Sequence, residues 1–226
     1  MSYLSNPIMP SGAQLQMAQS IIEARQPLGS TINQHFVEWF SGDALDSIWT
    51  ERGDGGSKGM SDSVNGGYFM TTGTTALNEE SIHFNNIRHY SHTGSAFIAV
   101  GKISSISQAI IYQGMSGSGD FVLTTDTYHI KGDSAAEPTA NRYSMVTNDN
   151  AGGQNIVQST KVYDTNFHIM KGQINSTTAR GIMDGVLEAI STSQLPTAKM
   201  EPTLQVLTRN TSAKTSNFTY FEAYNT

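Results

Sequence analysis

The sequence predicts an all-β protein, a sandwich of two antiparallel sheets that follows a short helical arm at the N-terminus. The first observation is composition: Ser, Thr and Asn number 26, 24 and 15 among 226 residues, while charged residues make up only 14%. Thr, Val, Ile, Tyr and Phe favour strands, and Gly, Asn, Ser and Asp favour the turns between them. The second observation is a regular succession of short strands and turn signals from about residue 34 to the C-terminus.

Alternation of side chains is clearest in NFHIMKGQI (166–174), where Phe167 and Ile169 face one way and His168 and Met170 the other. The dipeptide Asp184-Gly185, between ARGIM and VLEAI, predicts a two-residue hairpin. No repeat of roughly 20–50 residues is present, which argues against a propeller or solenoid. The predicted strands are His35–Phe40, Tyr68–Thr72, Ser81–Asn85, Ala96–Ile103, Ala109–Gly114, Phe121–Thr125, Thr127–Lys131, Arg142–Thr147, Ile156–Thr160, Asn166–Ile174, Thr178–Met183, Val186–Ile190, Thr203–Arg209 and Asn217–Tyr224.

Residues 1–33 predict an arm that precedes the sandwich of residues 34–226. Within it, AQLQMAQSIIEARQ (13–26) has apolar residues at helical spacing, with Ser11 as a suitable N-cap and Pro27 as a stop. One helix of about 14 residues is marginal alone, so its apolar stripe needs a surface, either on its own domain or on a neighbouring subunit. We predict an arm that docks on other subunits through Leu15, Met17, Ala18, Ile21 and Ile22.

Charge, hydropathy and cysteine content exclude several classes of protein. The net charge is −6, which gives no basic surface for a nucleic-acid backbone. No stretch approaches the ~20 apolar residues that a membrane helix needs, and MSYLSNPIMPSG lacks the features of a Sec-type signal peptide. The absence of Cys excludes disulfides, thiolate metal sites and cysteine nucleophiles.

Several segments together resemble one family. FVEWFSGDALDSIW (36–49) followed by NGGYFMTTG (65–73) resembles the start of concanavalin A-like jelly rolls of the laminarinase and laminin-G type. KVYDTNFHIMKGQI with GIMDGVLEAIS (161–191) resembles their later strand and hydrophobic-Asp-Gly hairpin, and NFTYFEAYNT (217–226) their closing strand. The resemblance covers about residues 34–226 and implies a concanavalin A-like jelly roll. We also expect Trp39 and Trp49 to fill the core near the first turn.

The resemblance implies no activity by itself, because lectins, glycosidases, adhesion modules and virion proteins share this fold. Retaining glycosidases need two carboxyl groups about 5 Å apart, which laminarinase-type enzymes take from a Glu-x-Asp-x-x-Glu strand that is absent here. Glu51 and Asp54 lie in ERGDGGSKG (51–59), which predicts a Gly-rich loop, and adjacent Glu79 and Glu80 would face opposite ways on a strand. Glu38 is a lone carboxylate. We therefore expect no catalytic residues.

Metal ligands are equally weakly indicated. His83, His89 and His92 are close in sequence but have no diagnostic ligand spacing. Calcium ligands would have to come from Asp and Asn residues, whose presence is already explained by the preference of these residues for turns. We therefore predict no metal or cofactor. Calcium stays open as an alternative. The residues concerned are Asp120, Asp126, Asp133, Asn148, Asp149 and Asn150.

Sugar binding without catalysis needs aromatic faces that stack on rings and amide groups that bond to hydroxyls. The candidates for such contacts are Tyr68, Tyr90, Tyr112, Tyr128, Tyr143, Asn148, Asn150 and Asn155.

Taken together, these features predict a non-enzymatic structural protein, a capsid decoration or fibre-like component of a virion, anchored by its N-terminal arm and located on a virion or extracellular surface. We expect a homo-oligomer, since open sheet edges must be protected or paired. A glycan-binding module is the alternative, and a glycoside hydrolase is the third hypothesis. Two carboxyl groups ~5–10 Å apart in a groove would favour the hydrolase.

Overall fold

The computed structural model describes residues 35–226, apart from residues 42–43, 62–65, 86, 122–124, 136–137 and 152. Fifteen strands build this part of the chain, and none of its residues is helical. The predicted arm, including Leu15, Met17, Ala18, Ile21 and Ile22, lies outside the described residues. Within the described ranges there is no helix long and apolar enough to cross a membrane.

The strands follow one another along the chain with short connections. They are β1 (His35–Trp39), β2 (Thr50–Gly53), β3 (Ser57–Met60), β4 (Tyr68–Thr71), β5 (Glu79–His83), β6 (Gly94–Ile103), β7 (Ala109–Ser116), β8 (Asp126–Asp133), β9 (Arg142–Asp149), β10 (Gln154–Val162), β11 (His168–Asn175), β12 (Ala179–Met183), β13 (Val186–Ser191), β14 (Glu201–Thr208) and β15 (Thr215–Asn225).

Two antiparallel sheets pack face to face, which confirms the predicted β-sandwich. The eight-stranded sheet has the order β13-β12-β11-β6-β15-β4-β3, and β1 pairs with the C-terminal half of β15. The seven-stranded sheet has the order β10-β9-β8-β7-β14-β5-β2. Each sheet mixes strands from both halves of the sequence, so neither is complete without β14 or β15 near the C-terminus.

The core lies between the sheets because each strand turns one set of alternate side chains inward. In β14, Leu204 and Val206 join the core, while Thr203 and Gln205 point to the outer side of the seven-stranded sheet. Aromatic rings fill the middle of the core; those of Phe97 and Phe221 are parallel, with centroids 6.4 Å apart. Between β12 and β13, Asp184 and Gly185 have φ of 49° and 82°, as the predicted tight hairpin requires.

Three of the sequence predictions need correction. Trp39 is not a core residue but is 53% exposed, because its pairing opposite Tyr220 places its ring on the outer side of the eight-stranded sheet. Trp49 is in the core, as predicted. Phe121 and Thr125 lie outside any strand, and residues 122–124 of that predicted strand are outside the described ranges.

The tract ERGDGGSKG is not a loop but supplies the edge strands β2 and β3. Its glycines are needed because the Glu80 carboxylate lies against them: a Cβ atom on Gly53 would be 1.8 Å from Glu80 Oε2. The Gly56 N–H donates to Glu80 Oε1 at 2.7 Å, and Lys58 pairs with the same carboxylate. The glycines therefore make room for a buried ion pair and are not the sign of a loop.

His168 has a carboxylate at each ring nitrogen. Nδ1 lies 2.8 Å from Asp184 Oδ2, and Nε2 lies 3.0 Å from Asp164 Oδ1. Burial alone would lower the pKa of His168, but the hydrogen bonds and charges of the two carboxylates outweigh it and raise that pKa. Burial likewise acts to raise the pKa of Asp184, but hydrogen bonds from His168 and Lys161 lower it to about 2.

Protonated His168 is expected to stabilise the fold in a pH-dependent way. Its raised pKa contributes stability that is complete below the unfolded-state value of about 6.5 and is lost as pH rises through the folded value. Lowering of the Asp184 pKa contributes stability above about pH 4 that is lost toward about pH 2. The difference in unfolding free energy between the wild type and His168→Asn, measured by urea titration, should therefore shrink above neutral pH. A difference that stays constant from about pH 5 to 9 would contradict this, and exposed His89→Asn is the control.

Candidate functional site

The outer side of the seven-stranded sheet is lined by polar side chains in register across several strands. Because Ile82, Ile111, Ile130 and Leu204 point into the core, the residues that alternate with them point outward. The outward residues are Arg52 on β2, Glu79, Ser81 and His83 on β5, Thr203 and Gln205 on β14, Tyr112 on β7, and Thr127, His129 and Lys131 on β8.

Two carboxyl groups meet on this side, Glu79 at the start of β5 and Asp120 in the β7–β8 connection. The Gln205 Nε2 atom donates to both, at 2.5 Å from Glu79 Oε2 and 3.1 Å from Asp120 Oδ1. Two oxygens that share one nitrogen at these distances are at most about 6 Å apart, close to the ~5–5.5 Å between the carboxyl groups of retaining glycosidases. This upper limit includes the separation that double-displacement chemistry uses.

Arg52 on the edge strand β2 lies beside both carboxylates. Its Nη1 atom is 3.2 Å from Asp120 Oδ2, and its Nη2 atom is 3.6 Å from Glu79 Oε1. Half of the Arg52 side chain is exposed, whereas both carboxylates are largely buried. The cation therefore marks the solvent-facing end of the pair.

Backbone amides hold Asp120 in place. The Phe121 N–H donates to Asp120 Oδ1 at 2.7 Å, and the Asp120 N–H donates to Ser116 Oγ at 3.2 Å. Gly119 has φ of +70° and passes so close to the His83 ring that a Cβ atom would lie 2.4 Å from its Nδ1. A tight loop and a glycine therefore aim the carboxylate at Glu79.

Burial changes the acidity of the Glu79 carboxyl group. Desolvation is the main cause, followed by the negative charge of Asp120, and together they raise the pKa of Glu79 to about 7 despite the opposing Arg52. A carboxyl group with a pKa near 7 is half protonated at neutral pH and can donate or accept a proton. Asp120 accepts hydrogen bonds from the Phe121 N–H and from Gln205, and it forms an ion pair with Arg52.

Beyond the pair, the sheet surface is covered by Phe121, whose ring stacks on Tyr112 at 5.4 Å and lies 4.4 Å from that of His129. Burial keeps the pKa of His129 well below its usual value, so the ring is neutral. Among the described residues, none supplies a hydrogen-bond partner to either ring nitrogen of His129 or to the hydroxyls of Thr127 and Thr203. Buried polar atoms without a hydrogen-bond partner are unusual in a folded protein.

The residues predicted to contact a glycan are scattered through the fold. Tyr68, Tyr90, Tyr128 and Tyr143 are buried, with ring faces packed inside the protein and not accessible to a sugar. Tyr112 alone among the five tyrosines points to the outer side of the seven-stranded sheet and is partly exposed. Its contact with a sugar stays a prediction.

The three asparagines of the same prediction also differ in position. Asn148 is buried near the end of β9, and Asn150 occupies an exposed turn with φ of 63°. Asn155 points the other way and donates to Ser191 Oγ at 2.7 Å. Of these three, only Asn148 faces outward on the same sheet as Tyr112.

No group of three or more His, Asp or Glu side chains in the described ranges is placed to hold a metal ion. His83 lies on the outer side of β5, 3.6 Å from Glu201, while His89 is exposed on the following connection. Asp126 accepts a hydrogen bond from the Thr197 N–H at 2.5 Å, and Asp133 pairs with Arg209 and Lys131. These carboxylates have protein partners of their own.

The chain folds as a concanavalin A-like jelly roll with a carboxylate pair on the outer side of one sheet. A β-glucanase from Bacillus licheniformis is similar at a TM-score of 0.59 and 13% identity, covering 86% of this chain and 99% of its own. A laminarioligosaccharide complex of LamA from Z. galactanivorans is similar at a TM-score of 0.62 and 10% identity, covering 86% and 100%. No protein-family model and no curated protein matches the sequence.

A third similar structure, a protein of unknown function from Shewanella oneidensis MR-1, has a TM-score of 0.62 and 12% identity. It covers 98% of this chain and 96% of its own, whereas the two glucan-related structures stop at 86%.

The prediction of a non-enzymatic structural protein of a virion is wrong. Structures similar to the chain include a glycosidic hydrolase, glucanases and the Crh5 transglycosylase. The sequence analysis did not find the carboxylate pair because its two members do not lie on one strand. Alternation correctly separates Glu79 from Glu80, but no local spacing links Glu79 to Asp120, which only the pairing of β5, β14 and β7 brings close.

Proposed function

We propose that the chain is a retaining glycoside hydrolase or transglycosylase that acts on a β-linked glucan, with Glu79 as acid/base and Asp120 as nucleophile. The observation that carries the proposal is the shared hydrogen-bond donor Gln205, which keeps the two carboxyl groups within about 6 Å. Support comes from the raised pKa of Glu79 and from the glucanases among the similar structures.

Each residue has a defined part in the double displacement. Asp120 attacks the anomeric carbon and forms a glycosyl ester, while protonated Glu79 gives its proton to the departing glycosidic oxygen. Deprotonated Glu79 then removes a proton from water, or from the hydroxyl of an acceptor sugar, and that oxygen displaces Asp120 from the ester. Arg52 neutralises part of the charge on Asp120 before the attack and after its release.

The pH dependence of catalysis tests the role of Glu79. Reducing-sugar release from β-1,3- and mixed-linkage glucans should have a kcat/KM that falls above about pH 7, because the acid form of Glu79 is lost there. An aryl β-glucoside with a good leaving group needs no proton donor, so its alkaline limb should be absent or displaced to higher pH. The acid and alkaline limbs of the pH profile for glucan hydrolysis report the coupled pair of carboxyl groups rather than either residue alone.

Two results would reject the proposal. One is an alkaline limb that is identical for the glucan and for the activated aryl glycoside. Such a limb would not arise from the loss of leaving-group protonation. The other is glucan binding without any turnover across β-1,3- and mixed-linkage substrates, which would identify a binding module instead.

A further inference from the structure

We propose that the outer side of the eight-stranded sheet is covered by residues 13–26 of the same chain, folded as the helix that their apolar spacing predicts. This inference does not rest on the proposed function, because the carboxylate pair lies on the other sheet. The surface concerned is an apolar stripe that crosses the strands. It consists of Trp39, Tyr220, Val100 and Ile169 in one row, and Val37, Ile98, Ile182 and Leu187 with the charged Glu222 and Lys171 in the next.

The residues in the middle of this stripe are buried, whereas those at its two ends are exposed to solvent. Ile98, Val100 and Tyr220 have 0% exposure, whereas Trp39 at one end and Leu187 at the other are 53% and 50% exposed. All fifteen described strands belong to the two sheets, so none of them lies over this side. A cover of limited length, placed over the centre, accounts for this pattern.

Charged groups on the stripe are buried as well. Lys171 and Glu222 are each only 2% exposed, although they point away from the core of the sandwich. Burial lowers the pKa of Lys171, against the opposing effect of Glu222. Two long charged side chains on an open sheet surface would extend into water, so their burial also indicates a covering segment.

The dimensions match the predicted helix. Six strands at ~4.8 Å spacing make a stripe of about 24 Å, and a helix of 14 residues is about 21 Å long. Residues 27–34 can span at most ~26–29 Å, enough to return from either end of the stripe. They join β1 at His35, whose Nε2 is 2.7 Å from Glu222 Oε1 on this same side.

Two further observations favour this occupant over another molecule. The apolar set Leu15, Ala18, Ile21 and Ile22 needs a surface, and a segment on the same chain is always at high local concentration.

Because the chain has no Cys, a single introduced thiol reports on the stripe directly. Val100→Cys in the full-length protein should react slowly with a water-soluble disulfide reagent under native conditions. Adding Ile22→Asp, which places a charge on the apolar face of the predicted helix, should raise the rate of thiol labelling about tenfold or more. Ser20→Asp, on the polar face, is the matched control and should leave the rate unchanged.

A second thiol, Ile156→Cys, lies on the other sheet at an exposed position and should react fast in every background. Ile98→Cys replaces Val100→Cys if the latter lowers the melting temperature. Fast labelling of the stripe in the unmodified chain, or protection that survives Ile22→Asp and Leu15→Asp alike, would overturn the proposal. Protection that falls on dilution would also overturn it, by identifying a second copy as the cover.

Discussion

Glu79→Gln is expected to lower the rate of glucan hydrolysis by about 10²–10⁴-fold, the usual contribution of a general acid. Asp120→Asn should lower it by about 10³-fold or more, since the covalent step then lacks its nucleophile. The measurement is initial-rate reducing-sugar release at neutral pH with purified protein. Both substitutions keep the shape of the side chain and its hydrogen bond to Gln205, so the fold should survive them.

Controls separate chemistry from structure. Glu188→Gln removes a carboxylate from β13, in the other sheet, and should leave the rate unchanged. Glu79→Ala should recover turnover of an activated aryl glycoside when azide is added, because azide can attack the glycosyl ester without a general base. Full activity of both Glu79→Gln and Asp120→Asn would show that the pair is a structural ion network.

Phe97→Ala is expected to cost about 3–5 kcal/mol of unfolding free energy, as large-to-small changes of buried aromatic residues do. Phe97 is fully buried in the centre of β6, and its ring stacks on Phe221 and packs at 5.5 Å against Tyr128 of the opposite sheet. The substitution therefore removes contacts between the two layers. Urea unfolding followed by Trp49 and Trp39 fluorescence measures the loss.

The matched control for this prediction is Phe167→Ala. Phe167 is 40% exposed and contacts the solvent-facing Lys102 rather than the core, so its removal should cost less than about 1 kcal/mol. An equal loss for the two variants would mean that the layers are not held together through Phe97. Gly172→Ala probes the same place from the other side, since a Cβ there would lie 2.1 Å from the Phe97 ring.

Strand order along the chain was largely predictable from side-chain alternation and turn residues. Asp184-Gly185 and the NFHIMKGQI strand were identified because their signals are local: two residues with positive φ, and a period of two. The edge strands β2 and β3 were missed because their glycines imitate a loop. Glycine is required at Gly53 and Gly56 because the side chain of Glu80, on another strand, occupies the space of a Cβ atom. No local sequence pattern can reveal such a contact.

The site was predictable only in part. Alternation placed Glu79 on one face of its strand and Glu80 on the other, but it could not say which acidic residue would stand opposite Glu79. That choice depends on β14 lying between β5 and β7, which puts Gln205 within hydrogen-bond distance of two carboxylates from distant parts of the chain. A different non-local pairing, that of β1 with β15, places Trp39 on the surface although its segment looks apolar.

The sequence by itself determined the class of fold and the positions of most strands, because periodicity and turn preference act over a few neighbouring residues. Only the tertiary structure decided which acidic side chains come together, which of them is desolvated enough to raise its pKa to about 7, and which aromatic rings remain accessible. Those properties arise from non-local strand pairing and from the low dielectric of a covered surface, which have no signature in a short stretch of sequence.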